Sequence, residues 1–407
     1  MDVDADAAAF LSELSQSRSV SAQVKQHLDT FGRLYANRLW HQLTDSLEAF
    51  VAQPYSAPYQ RDLYARFISE FDRKIDSLRL VHIAAVVAQR YIDGDSPDPA
   101  AGHTFLSTLA TKLDKPLKDG TPSHEAAVQK QAVVFARMEA ASFLLLQGKL
   151  DETRKVINES EAVLDSLDTV APKVHATFYR VSADYHKVKA SFGEYYKNSL
   201  LYLACINIET DLPIESQIQR AHDLCIAALV GPSIYNFGDL LSHPILNTLD
   251  KTEYDWLKAL VQAFNSGNIG KYESLQPQME TEVILSQSPE RSPHAQHLRQ
   301  KIRLMALIEA ITSRPSSDRI VPFHFIAERT MVPPGEVEIL LMKALSLKLC
   351  KGSIDEINKT VSITWVQPKI LDRRQIGVLN GKLERWLGQV GRVGGLATGA
   401  APELLVY

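Results

Sequence analysis

The chain has 407 residues, 45% hydrophobic and 23% charged, with a formal net charge of −4. This ordinary globular composition excludes chain-wide disorder and collagen-like repeats, and the near balance of charge gives no global attraction to nucleic acid or anionic lipid. Of the 19 glycines, seven lie between Gly377 and Gly399, so the rest of the chain holds roughly 3% glycine against a usual ~7%. Glycine costs about 1 kcal/mol in a helix interior. A long chain that avoids it, and is rich in Ala, Leu, Gln, Glu and Lys, is predicted to be mostly helix. That argues against an all-β architecture and against a glycine-rich nucleotide-binding enzyme.

The first ten residues, MDVDADAAAF, are acidic where a secretory leader would be basic. Residues 1–19 read as an acidic, alanine-rich tail. No run of about 18 apolar residues follows, so no membrane span is expected. The three cysteines, Cys205, Cys225 and Cys350, form no CxxC and cannot pair completely, as expected of a reduced intracellular protein.

Residues 20–293 read as helix after helix. In Arg61 to Phe71, the residues Leu63, Tyr64, Phe67, Ile68 and Phe71 recur at the spacing of an amphipathic stripe. Leu78 to Tyr91 is apolar all round and is expected to be more deeply buried. Breaks are marked at 53–58, 93–99 and 115–122 by Pro, Gly, Asp and Ser. A weak internal echo runs through this region: ANRLWHQLTDSL, LQGKLDETRKVI, SFGEYYKNSLL and NSGNIGKYESL. Each has a glycine, or Asn37, then any residue, then a large apolar one. The spacings fit units of about 37–45 residues, the period of stacked helical hairpins. Asn37, Gly148, Gly193 and Gly267 are the expected reversal points, where a residue tolerating positive φ ends one helix.

The pattern changes after Pro293. Ala295 to Ser313 is predicted to be a helix facing inward through Leu298, Ile302, Met305, Ile308 and Ile311. A short extended piece, Arg319–Pro322, leads into a second helix from Pro322 to Arg329. The run Pro333-Pro334-Gly335-Glu336 opens a third helix to about Leu347, buried through Val337, Leu340, Leu341, Ala344 and Leu347. Leu349–Ile354 and Thr360–Val366 read as two strands joined by a turn at Asp355–Asn358, with Val361, Ile363 and Trp365 alternating against Ser362 and Thr364. This is the order of a winged helix, placed at 294–368. A further helix, 369–389, carries Ile376, Leu379, Leu383 and Trp386–Leu387 on one face. Residues 390–407 read as a Gly/Ala-rich tail, poorly ordered unless a partner holds it.

Motifs for chemistry are absent. There is no GxxxxGK[ST], HExxH, GxSxG or GxGxxG. His294 and His297 are the nearest histidine pair, with no acidic or Cys partner nearby, and read as polar residues at a helix start. No catalytic, cofactor-binding or metal-ligating residue is nominated, and no cofactor is expected. From Ala295 to Gln375 the chain has a local excess of five positive charges. The third helix of the winged helix, however, carries Glu336 and Glu338 where base contacts would be made and only Lys343 beyond, which disfavours a duplex groove. The hairpin instead offers an edge strand to a neighbouring chain.

Helical hairpins running into a winged helix resemble the PCI domain, found in subunits of the proteasome lid, the signalosome and a translation initiation factor. The stretch VEILLMKALSLKLCKGSIDEINKTVSITWVQP is similar to the family's most characteristic segment. The similarity is nearest to a lid subunit. It is carried by RLYANRLWHQLTDSLEAF, FISEFDRKI, AFNSGNI, NFGDLLSHPIL, KGSIDEINK and TWVQP, which are spread over most of the chain. The resemblance implies a mostly α fold: an irregular helical-hairpin solenoid whose part from about 190 belongs to the PCI domain, then the winged helix and the C-terminal helix. It implies a non-catalytic scaffold of the proteasome regulatory particle, in cytoplasm and nucleus, working as part of a hetero-oligomer with other PCI and lid subunits. No specific nucleic acid and no membrane partner are implied. The candidate subunit interface is Ile354, Asp355, Val361, Ile363 and Trp365 in the wing, with Leu379, Leu383 and Trp386 in the terminal helix. Winged-helix core is the competing reading for Ile354, Ile363 and Trp365, and turn capping for Asp355. A PCI subunit of a signalosome or initiation complex, and a nucleic-acid-binding winged helix, are the alternatives.

Overall fold

The computed structural model describes residues 10–11, 13–14, 22–93, 97–114, 123–250, 252–280, 294–314, 319–368 and 373–400. The chain divides into two compact units, Met1–Leu212 and Pro213–Tyr407. The division falls well before residue 293, where the sequence pattern changes.

The first unit holds nine helices of seven residues or more among the described residues: α1 (Ala22–Ala36), α2 (Trp40–Val51), α3 (Gln60–Arg66), α4 (Ser77–Gln89), α5 (Pro99–Leu113), α6 (Ser123–Leu146), α7 (Leu150–Asp165), α8 (Pro172–Val188) and α9 (Phe192–Cys205). Their starts follow from local chemistry. The Asp76 carboxylate accepts from the Leu78 N–H at α4, and Asp98 accepts from Ala100 and Ala101 at α5, where Pro99 takes the first turn. The apolar run in α4 buries seven residues from Leu80 to Ala88, as its composition predicted.

The stretch Arg61–Phe71 is not one helix. The α-helix ends at Arg66, and 3₁₀ turns follow at Ile68–Glu70 and Asp72–Lys74. Packing explains the break. Phe67 and Phe71 lie 5.0 Å apart and both meet Tyr35, so the tighter turns bring two aromatic rings to one place. All five residues of the predicted stripe are still buried.

The N-terminal segment also differs from a free tail. Phe10 and Leu11 are buried and belong to the core of this unit, and the Arg66 guanidinium stands 5.5 Å from the Phe10 ring. Farther along, Arg180 on α8 donates to Glu139 on α6 at 2.6 Å. The Glu139 carboxylate raises the Arg180 pKa. Neither group faces bulk water freely, so the pair fixes the lateral register of the two helices.

The echo in the sequence corresponds to a repeated reversal, displaced from the expected residues in two cases. Left-handed residues stand at Arg38 (φ 54), Gly148 (φ 77), Ala190 (φ 57) and Gly267 (φ 62). Each makes the same pair of helix-closing bonds. After Arg38, Leu39 N–H donates to Leu34 O; after Gly148, Lys149 to Leu144; after Ala190, Ser191 to His186; after Gly267, Asn268 to Ala263. This six-to-one bond defines the Schellman end. One residue later a new helix starts on a large apolar side chain: Trp40, Leu150, Phe192 or Ile269. Asn37 and Gly193 are therefore not the reversal residues, and Gly193 lies inside α9. The hydrogen-bond pattern and packing impose the conformation even on Arg and Ala.

The second unit contains α10 (Ile214–Val230), α11 (Asp255–Ser266) and α12 (Ile269–Ser274), with shorter helical turns between them. Then come α13 (Ala295–Thr312), β1 (Ile320–Pro322), α14 (Phe323–Thr330), α15 (Val337–Ser346), β2 (Cys350–Asp355), β3 (Thr360–Val366) and α16 (Arg373–Ala400). The helix–strand–helix–helix–hairpin order matches the winged helix read from the sequence. The antiparallel sheet has the order β1-β3-β2. On α13 every residue of the predicted inward face is buried; on α15 Leu347 is 37% exposed, beyond the helix end at Ser346.

Candidate interaction surface

The wing is built around a turn that caps itself. The Asp355 carboxylate accepts from the Asn358 N–H at 3.1 Å and from Asn358 Nδ2 at 2.7 Å. These bonds hold the Asp355 pKa below its ordinary value. Asp355 thus sets turn geometry, the role weighed against an intersubunit contact. At the tip stands Ile357, 93% exposed.

Central position in the sheet decides the fate of β3. Val361 is 0% and Ile363 2% exposed, so these two candidates form internal core and are not available as an interface. Ile354 pairs with Val361 and is partly buried. The predicted alternation then breaks: Lys351 pairs with Trp365 and Gly352 with Ile363, leaving Thr364 as a bulge. Past it, Trp365 is 40% exposed, with the Lys351 ammonium 5.2 Å from its ring. Gly352 is required here, because a Cβ would lie 2.2 Å from Ser362 O. The free edge of the sheet on the wing side is β2.

The outer face of α15 is apolar. Ile339 and Met342 are 59% and 50% exposed, while the Lys343 ammonium donates to Gln300. Cys225 and Cys350 are buried free thiols, and burial pushes Cys225 up to about 12. Among the described residues, no group of three His, Cys, Asp or Glu could hold a metal ion.

The terminal helix departs most from expectation. It runs from Arg373 to Ala400, past the predicted end at 389 and through the glycines read as a tail; residues 401–407 lie outside the described residues. From Ile376 to Leu396 its large apolar side chains are all exposed. Leu379, Leu383 and Trp386 stand at 44%, 52% and 64%. Their spacing continues beyond the sequence reading. Ile376, Leu379, Leu383, Trp386, Val390 and Val393 follow each other at alternating intervals of three and four, the seam of a coiled coil or helix bundle. That 3–4 pattern was available in the sequence and outranks the glycines between its members. The structure therefore gathers Ile354, Val361 and Ile363 into the wing, and leaves Trp365 and the terminal-helix residues exposed. Ile357, Ile339, Met342, Val390 and Val393 were missed.

A family model described as PSD13 N-terminal repeats matches residues 27–261, and one described as PCI domain matches residues 271–365. The chain belongs to the family of the 26S proteasome non-ATPase regulatory subunit 13. It is 37% identical to 26S proteasome non-ATPase regulatory subunit 13 homolog B of Arabidopsis thaliana, over 94% of this chain and 95% of that one. It is 34% identical to 26S proteasome regulatory subunit RPN9 of Saccharomyces cerevisiae, over 90% of both. A shorter similarity, 26% over 32% of this chain and 27% of the relative, links it to COP9 signalosome complex subunit 2 of Drosophila melanogaster. The subunit 13 family model thus covers the helical hairpins and the PCI model covers the sheet. The exposed seam of α16 lies beyond both.

Proposed function

We propose that the chain is a non-catalytic scaffold subunit of the lid of the 26S proteasome regulatory particle, in cytoplasm and nucleus, serving ubiquitin-dependent protein degradation. The observation that carries this reading is the uninterrupted exposed seam on α16. Six apolar residues at heptad spacing along one helix are costly in water and are satisfied by packing against other helices. The free edge of β2, with Trp365 and Ile357 near it, supplies a second contact, suited to a neighbouring winged helix. Similarity to subunit 13 proteins along nearly the whole chain supports the proteasome as the assembly. The similarity to a signalosome subunit covers only 32% of the chain.

The test is a Leu379→Ala, Leu383→Ala double variant of the tagged full chain, expressed in cells. Each truncation removes roughly 2–5 kcal/mol if the residue is fully buried in the assembly. The variant is expected to keep its helical circular dichroism and to lose co-purification with lid subunits. Undiminished recovery of the lid with the variant refutes the role of α16. Recovery of signalosome or initiation-factor subunits by the parent chain refutes the proteasome assignment.

A further inference from the structure

In the first unit, α7, α8 and α9 enclose a cleft of about 310 Å³. Its floor is α8. Ser182 there is 3% exposed, and its hydroxyl lines the cleft without a hydrogen-bond partner. One turn on, His186 Nδ1 is buried and likewise unpartnered. Burial lowers the His186 pKa, with Glu194 opposing and Lys189 assisting, so the imidazole is neutral near pH 7 and able to bind a polar group. Buried polar atoms are nearly always satisfied, and two residues whose buried polar atoms lack a partner line this one cleft.

The walls say what kind. Arg154 on α7, Lys189 just past α8 and Lys197 on α9 line the cleft, and none has an ion-pair partner among the described residues. Against these three cations stand two carboxylates, Glu161 and Glu194. The cleft is therefore net positive in a chain whose net charge is −4. Asn158 on α7 and Asn198 on α9 also line it. Each side-chain amide carries both a donor and an acceptor, the pair needed to hold a peptide group in extended backbone.

We propose that this cleft binds an extended acidic peptide segment of a partner protein. Asn158 and Asn198 hold its backbone, and Arg154, Lys189 and Lys197 meet its carboxylates. The cleft belongs to the first unit and the wing and α16 to the second, so the proposal can fail without touching the assembly reading.

The test is fluorescence anisotropy of fluorescein-labelled hexaglutamate titrated with the full chain, with labelled hexalysine as the control. Saturable binding of hexaglutamate and none of hexalysine is expected. An Arg154→Glu, Lys197→Glu variant, altered only at exposed side chains, should keep the parent's circular dichroism and bind about tenfold more weakly or worse. An Asn158→Ala, Asn198→Ala variant separates backbone recognition from charge and is expected to bind more weakly with an unchanged salt dependence. Absence of hexaglutamate binding, equal binding of both peptides, or undiminished binding by the charge-reversed variant overturns the proposal.

Discussion

Lys301 gives the most demanding test of how the second unit is held together. The residue is 1% exposed, on α13. Its ammonium donates to Ala228 O at 2.7 Å, Leu229 O at 3.0 Å and Gly231 O at 2.8 Å. These carbonyls lie at the C-terminal end of α10, where the last turn has no intrahelical donors and the helix dipole is negative. The Tyr235 and Phe237 rings stand 5.5 and 5.4 Å away. Burial pulls the Lys301 pKa down to about 7. The carbonyls oppose that pull, because only the ammonium has three protons to give them. Lys301→Met keeps the apolar stem and removes the donor. Hydrogen bonds to a charged group are worth about 1.5–3 kcal/mol each, and losing three is partly offset by no longer burying a charge. A net loss of about 3 kcal/mol is expected, at the low end for breaking a buried charge pair. The assay is urea unfolding of the full chain, followed by tryptophan fluorescence. Trp40 lies in the first unit, and Trp256, Trp365 and Trp386 in the second. The transition reporting the second unit should shift and that of the first should not. A variant within about 0.5 kcal/mol of the parent, the usual range of a neutral surface change, would refute the reasoning.

Three other expectations follow from local geometry. Arg180→Met leaves Glu139 buried without its partner and should cost the first unit about 3 kcal/mol or more, read from the same denaturation curves. Gly352→Ala forces a Cβ against Ser362 O; overpacking against backbone is expected to cost the second unit about 2 kcal/mol and to shift the thermal transition of the full chain. His82 is partly buried, and desolvation, helped by Lys173, lowers its pKa below its ordinary value of 6.5. The unfolded chain then binds the proton more readily, so stability is full above 6.5 and falls as pH drops through that value toward the folded pKa. His82→Gln should flatten this part of the stability–pH curve, and an unchanged slope would show that other groups set it.

The parts of the fold legible in the sequence were those with local causes. Pro333–Pro334 at a helix start, the Asp355–Asn358 turn and the two flanking strands placed the winged helix closely. The misreadings came where longer-range packing or bonding overruled a residue's preference. Arg38 and Ala190 reverse the chain with left-handed backbones that neither prefers, so a search for glycine pointed to Asn37 and Gly193. Phe67 and Phe71 gather on Tyr35 and break the helix their spacing predicted. Val361 and Ile363 looked like interface candidates because a strand pattern shows which residues alternate, not whether the strand is central. Glycine content hid the continuation of α16, although the heptad spacing reached Val393. The cleft was invisible for another reason. Its polar residues come from three helices, and no local run brings Arg154, Ser182 and Lys197 into view together.

The length of α16 carries a cost for the solitary chain. At 1.5 Å per residue, its 28 residues extend about 42 Å, with nine large apolar side chains standing in water. A free copy is therefore sticky in proportion to its concentration, and excess over its neighbours leaves orphan molecules that associate through this helix. Solubility thus becomes a matter of stoichiometry. Expressed alone, the full chain should form concentration-dependent oligomers that a truncation before Arg373 abolishes, visible as a loss of the heavy species in analytical ultracentrifugation.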